Sequence, residues 1–134
     1  MLQVPGPYIV LADDYDEDQE FLKEALSRQA PGIGIESVWD GEEVLSYLRD
    51  RADDALPGLI ILDYKMPVLN GAEVLDRLRQ DSRFASIPKV VWSTSSQQEY
   101  IDDCLEKGAL HFFTKPNTPA DLQIMTKKIL LLFQ

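Results

Sequence analysis

Leu59-Ile60-Ile61-Leu62-Asp63-Tyr64-Lys65-Met66-Pro67-Val68-Leu69-Asn70-Gly71 is the stretch on which the reading of the fold turns. Four apolar residues in succession, without polar alternation, suit a strand covered on both faces, as in a parallel sheet. The run stops at a carboxylate, Asp63. Pro67 bars continuation as a central strand, and Asn70 with Glu73 three residues on spells a capping box that opens a helix. An oxygen nucleophile therefore stands at the mouth of a buried strand, where open α/β sheets place their ligands. On these residues alone, Asp63 serves either chemistry or the turn of the chain.

The same punctuation recurs on either side. Tyr8-Ile9-Val10-Leu11-Ala12 is a second apolar run, ending on Asp13-Asp14. Asp16 with Gln19 then reads as the cap of a helix whose buried stripe is Phe21, Leu22, Ala25 and Leu26, closed by Pro31-Gly32. Residues 33–38 alternate as an edge strand would. Asp40 and Glu43 predict another capped helix, with Val44, Leu45 and Leu48 facing inward. Beyond Gly71, the spacing of Val74, Leu75 and Leu78 predicts a third helix. Val90-Val91-Trp92 is a further short strand, ending in Ser93-Thr94-Ser95-Ser96. Ser96 and Glu99 are expected to cap a fourth helix carrying Ile101, Cys104 and Leu105. Residues 109–114 predict a fifth strand, ending at Lys115-Pro116. Thr118-Pro119-Ala120-Asp121 opens the last helix, with Leu122, Met125, Ile129 and Leu132 on one face.

Five strands alternating with five helices imply a doubly wound parallel sheet with right-handed connections. The expected organisation is one domain over 1–134, with a core of about 7–133 and no output domain. Composition agrees: 134 residues, 45% hydrophobic and 27% charged, fit one globular unit. No apolar run approaches the roughly 20 residues of a membrane-spanning helix. The opening Met1-Leu2-Gln3-Val4-Pro5-Gly6-Pro7 lacks the basic and apolar regions of a signal peptide. With Cys104 as the single cysteine, a reducing cytoplasm is the expected setting. A net charge of −10 disfavours nucleic acid and anionic membranes as partners, and favours basic protein surfaces.

Even alternation brings the strand ends to one edge of the sheet, and with them Asp13, Asp14, Asp63, Ser93 and Lys115. Gathered carboxylates repel and raise one another's pKa unless a cation lies among them. Hard oxygen ligands, with no His or Cys close in sequence, describe a Mg²⁺ site better than a zinc site. Metal, ammonium and hydroxyl around one carboxylate suit phosphoryl transfer onto it.

These motifs together resemble the receiver domain of two-component response regulators, in the single-domain form similar to chemotaxis and phytochrome-associated regulators. The residues that carry the likeness are the acidic pair Asp13-Asp14, Asp63 with Met66-Pro67 and Gly71 behind it, Ser93, and Lys115-Pro116. Asp63 to Ser93 spans 30 residues and Ser93 to Lys115 spans 22, both as that family has them.

The resemblance implies a flavodoxin-like sheet of order 2-1-3-4-5. It implies that Asp63 accepts a phosphoryl group from a phosphohistidine on a histidine kinase or histidine phosphotransferase. Asp14 and Asp63 would bind Mg²⁺ directly, Asp13 through water, and the Lys65 backbone carbonyl would complete the set. Ser93 and Lys115 would each take a phosphoryl oxygen, and the bond before Pro116 would be cis. Ser93 would couple to Phe112, switching the face of the fourth helix, fifth strand and fifth helix for a downstream protein target or a second copy. Phe112 lacks a tyrosine's hydroxyl, so no readout can use one. Lys65 and Thr94 are expected to tune the phosphorylated lifetime. Such a chain is a signalling receiver rather than an enzyme acting on other substrates.

Three other readings compete. A haloacid-dehalogenase-type hydrolase also uses a strand-end Asp, but needs a second Asp where Lys65 stands. A flavin module would meet repulsion between its cofactor phosphate and Asp13-Asp14-Tyr15-Asp16. A receiver-like module that is never phosphorylated would have little use for the complete acidic and lysine set. Elsewhere, His111 is expected at the sheet surface, Trp39 and Trp92 in packing, and Leu130, Leu131 and Phe133 either at a frayed end or in a dimer contact.

Overall fold

The computed structural model describes residues 7–133; the expectations for residues 1–6 and for Gln134 lie outside the described residues. Strands β1 (Tyr8–Ala12), β2 (Gly34–Val38), β3 (Leu59–Asp63), β4 (Lys89–Ser93) and β5 (His111–Thr114) form one parallel sheet of order β2-β1-β3-β4-β5. Helices α1 (Asp16–Gln29), α2 (Gly41–Arg49), α3 (Gly71–Arg79), α4 (Gln98–Glu106) and α5 (Pro119–Leu132) alternate with them. No helix among the described residues is long and apolar enough to cross a membrane.

The uninterrupted apolar runs are explained by two cores, one on each face of the sheet. Val10, Ala12, Ile60, Leu62 and Val91 pack with residues of α2, α3 and α4, while Ile9, Leu11, Leu59, Ile61 and Val90 pack with α1 and α5. Successive residues point to opposite faces, so an apolar residue is needed at every position. Each fully buried Leu or Ile contributes about 1.5–3 kcal/mol. The central strands are thus the anchor of the molecule.

Local signals set the helix starts. Asn70 and Glu73 form the complete capping box of α3, Asp40 accepts from the Glu43 amide at α2, and Thr118 accepts from the Asp121 amide at α5, with Pro119 in the first turn. Two expected caps are corrected. At α1 the N-cap is Tyr15, without a side-chain bond, because the Asp16 carboxylate accepts from the Trp39 indole at 2.7 Å and Gln19 is buried. At α4 the N-cap is Gln97, also uncapped, so Ser96 lies one residue too early for its hydroxyl to reach the first-turn amides.

Three burial expectations also change. The buried stripe of α1 is Gln19, Leu22 and Leu26, and Phe21 points to solvent one position round the helix. Leu105 is exposed while Cys104 of the same helix is buried, and Trp39 is exposed. Leu130 and Phe133 rest partly on the α1/α5 core, whereas Leu131 is exposed. Lys89, before the expected strand, is buried as the first residue of β4, its ammonium donating to the Phe84 and Ala85 carbonyls.

Candidate functional site

Parallel register assembles the site. Ala12 stands opposite Leu62, so Asp13 leaves the sheet beside Asp63. Asp63 pairs with Trp92, and Ser93 follows; Ser93 pairs with Thr114, and Lys115 follows. The Lys115 amide donates to the Ser93 carbonyl at 2.7 Å, tying the last two strand ends together. Behind Asp63, the Gly71 amide donates to the Tyr64 carbonyl at 2.8 Å. A Cβ on Gly71 would lie 2.8 Å from the Asp63 carbonyl oxygen, which is why the loop closes on a glycine.

The carboxylates converge as expected. One oxygen from each of Asp13, Asp14 and Asp63 lies within 4.8 Å of the others, with Asp13 and Asp63 buried and Asp14 exposed. Asp13 uses both oxygens, accepting from the Tyr15 amide at 2.9 Å and from Lys115 Nζ at 2.8 Å. Lys115 Nζ also bonds Asp18 Oδ2 at 2.7 Å, stands 3.6 Å from Asp63 Oδ1, and lies 4.6 Å from the centre of the Trp92 ring.

Electrostatics follow from this crowding. Burial first, then the neighbouring Asp13 charge, pushes the Asp63 carboxyl up to about 7, with Lys115 opposing the rise. Burial likewise raises Asp13 above the ordinary carboxylate range, against the pull of its bonds to Lys115 and the Tyr15 amide. Burial works against the Lys115 ammonium, but its bonds to Asp13 and Asp18 outweigh it and hold the group above the usual lysine value. A divalent cation would relieve the repulsion within the trio, and an all-oxygen donor set fits a hard ion.

The remaining predicted residues distribute themselves around this centre. Ser93 is buried, and its Oγ accepts from the Ser95 amide at 3.1 Å, a bond that leaves the hydroxyl hydrogen unused. Thr94 and Lys65 are exposed, and Lys65 Nζ lies 6.0 Å over the Tyr100 ring. Phe112 is half-buried against the α2/α3/α4 core, opposite Val91. His111 is exposed, its ring 4.2 Å from Phe113 and apart from the strand-end cluster. The cis bond expected before Pro116 is corrected: no cis peptide occurs among the described residues. Trans is the intrinsically favoured isomer, by about 0.5–1 kcal/mol, and Lys115 reaches its carboxylates from it.

Three residues near the site escaped the sequence reading. Gln19 is buried and donates through Nε2 to the carbonyls of Leu11, Asp13 and Val38. Its signal was present, as the one polar member of a stripe completed by Leu22 and Leu26. Asp18 gave none, since its partner lies 97 residues away. Tyr100 stacks on Tyr64 at 4.5 Å, joining α4 to the loop after Asp63. A groove of about 450 Å³ between α1 and the loop after β5 opens on Lys115, with Phe21 and Pro116 on its walls.

Residues 9–127 match the response regulator receiver domain family. Over 125 residues the chain is 29% identical to the two-component response regulator ORR5 of Oryza sativa subsp. japonica, covering 93% of this chain and 90% of that protein. Among solved structures it is similar to the phosphorylated cyanobacterial phytochrome response regulator RcpA. There the identity is 30% and the TM-score 0.85, with 96% of this chain and 94% of that one covered. It is also similar to the Mn²⁺-bound form of response regulator Rcp1, at 27% identity and TM-score 0.77, covering 92% and 91%.

Proposed function

Because this chain belongs to the response regulator receiver family of two-component phosphorelay signalling, we propose that Asp63 is the residue on which it accepts a phosphoryl group. The observation that carries the assignment is the position of Asp63, beside the Lys115 ammonium and within a cluster of carboxylates. Lys115 Nζ stands 3.6 Å from Asp63 Oδ1, and Asp13 and Asp14 complete with it a carboxylate trio fit for a cation. Asp63 attacks phosphorus in line, and Lys115 neutralises charge that develops on one phosphoryl oxygen. Ser93, with its hydrogen unused, donates to another.

In this reading Asp14 and Asp63, with the Lys65 carbonyl, would hold Mg²⁺. Asp13 would act on the ion indirectly, in keeping with the engagement of both its oxygens by Tyr15 and Lys115. When bound, Mg²⁺ supplies charge that offsets the trio's repulsion and the phosphoryl oxygens. The Mn²⁺-bound form of the similar Rcp1 supports a divalent site in this kind of protein.

The phosphoryl group comes from a phosphohistidine of a histidine kinase or phosphotransferase, in the cytoplasm. The chain works as a receiver domain, promoting its own phosphorylation and dephosphorylation. Movement of Ser93 toward the phosphoryl group lets Phe112 turn inward from its half-buried seat, changing the α4–β5–α5 face for a protein target or a second copy. Leu105 of α4 and Ile124 of α5 are exposed apolar residues that support such an interface.

Incubation with Mg²⁺ and acetyl phosphate, followed by intact mass, tests the assignment. One phosphoryl group is expected on the wild type and none on Asp63→Asn. Equal labelling of both would remove Asp63 from the role. Light scattering with and without the phosphoryl group tests self-association.

A further inference from the structure

Lys115 Nζ has three N–H donors, and two are committed to carboxylates, Asp13 Oδ2 at 2.8 Å and Asp18 Oδ2 at 2.7 Å. Asp63 Oδ1, at 3.6 Å, lies beyond hydrogen-bond range. Asp18 is not one of the three carboxylates whose oxygens converge at the strand ends. It comes from the first turn of α1, and its bond to Lys115 is largely screened from water, with side chains 9% and 24% exposed. Exposed ion pairs are worth little; this one is charge-assisted, short and sheltered.

We infer that Asp18 is a positioning residue that competes for Lys115, holding its ammonium toward α1 so that a phosphoryl group on Asp63 must draw it away. The inference rests on the proposed role of Asp63. During transfer, one Asp63 carboxylate oxygen forms a bond to phosphorus while the bond from phosphorus to the donor breaks, its electron pair leaving with the donor. Charge developing on the phosphoryl oxygens is stabilised by the ammonium to the extent that the ammonium is free to move onto them. Asp13 shares its charge with any cation held by the trio, which weakens its grip on Lys115. Asp18 has no such outlet, so it is the restraint that persists. It slows phosphorylation and sharpens the difference between the two states, because Lys115 exchanges partners rather than merely gaining one.

The experiment follows phosphorylation by acetyl phosphate in Mg²⁺, with acetate as the leaving group, in the wild type, Asp18→Asn, Asp18→Glu and Glu17→Gln. Asp18→Asn keeps the shape and removes the competing charge. Its maximal rate should rise about three- to tenfold, with a smaller change in the half-saturating donor concentration. Asp18→Glu, which restores the ion pair, should return toward the wild-type rate. Glu17→Gln removes the same charge from an exposed position of α1 and should stay near wild type, which separates the pairing from a general loss of repulsion toward an anionic donor. Asp18→Ala serves as a second variant should Asp18→Asn melt early. Equal maximal rates in the wild type and Asp18→Asn, or equal acceleration by Glu17→Gln, would overturn the inference and leave the role of Asp63 intact. A wild-type chain that gains no phosphoryl group overturns both.

Discussion

The side-chain amide of Gln19 donates to the Val38 carbonyl at 2.8 Å, joining α1 to the end of the edge strand β2. The same nitrogen reaches the carbonyls of Leu11 and Asp13, at 3.2 and 3.1 Å. One buried amide therefore clips the backbone that presents the acidic pair to both neighbouring elements. Gln19→Leu keeps the volume and removes the donor. A loss of about 1–3 kcal/mol is expected in urea unfolding, together with weaker Mg²⁺ binding followed through the fluorescence of buried Trp92. Unaltered Mg²⁺ affinity would confine Gln19 to a purely structural role.

Asp63 sets a pH dependence. Burial and the Asp13 charge raise its carboxyl to about 7, so the folded protein holds this proton more tightly than the unfolded chain. Without metal, stability from this group is present at low pH and drains away as pH rises from about 4 to about 7. At pH 8 without Mg²⁺, Asp63→Asn should be more stable than the wild type by about 1–4 kcal/mol, with the gap closing toward pH 4. Adding Mg²⁺ should stabilise the wild type and leave Asp63→Asn nearly unmoved. Thermal melts across pH, with and without the ion, read both effects.

Val68, in the loop behind Asp63, has φ of 70° and is 72% exposed. A β-branched residue in the left-handed region costs about 1–2 kcal/mol, whereas glycine there costs about 0.4–1 kcal/mol through the greater freedom of the unfolded chain. The strain term is the larger, so Val68→Gly should raise the melting temperature by a few degrees. A lower melting temperature would show that the exposed side chain contributes packing that outweighs the strain.

Gly71 meets the opposite constraint. Its missing Cβ would lie 2.8 Å from the Asp63 carbonyl oxygen and 3.1 Å from Tyr64 Cα. Gly71→Ala should displace the end of β3 at Asp63, lowering stability by about 1–3 kcal/mol and slowing phosphorylation at saturating donor. An unchanged rate would mean that the loop yields without moving the carboxylate.

Turnover of the phosphorylated form probes Lys65 and Thr94, both exposed at the rim of the site. Lys65→Ala and Thr94→Ala are each expected to alter the dephosphorylation rate by changing the approach of the attacking water. Lifetimes unchanged from the wild type in both variants would show that neither side chain reaches its path.

Much was legible in the chain itself where the physics is local or periodic. Unbroken runs such as Leu59-Ile60-Ile61-Leu62 demand burial on both faces, which a parallel sheet with helices on each side provides. Asn70 with Glu73, and Thr118 with Pro119, mark helix starts through contacts within one turn. Because parallel strands share a direction, Asp13, Asp63, Ser93 and Lys115 had to reach one edge.

Distances between elements were decided only by tertiary packing. The preference of Lys115 for Asp13 and Asp18 over Asp63, the burial of Gln19 and the outward turn of Phe21 depend on how α1 rolls against the sheet. Chain-local chemistry names the groups at a strand's end, but which partner an ammonium takes is a contest among carboxylates from distant segments, settled by tenths of an ångström.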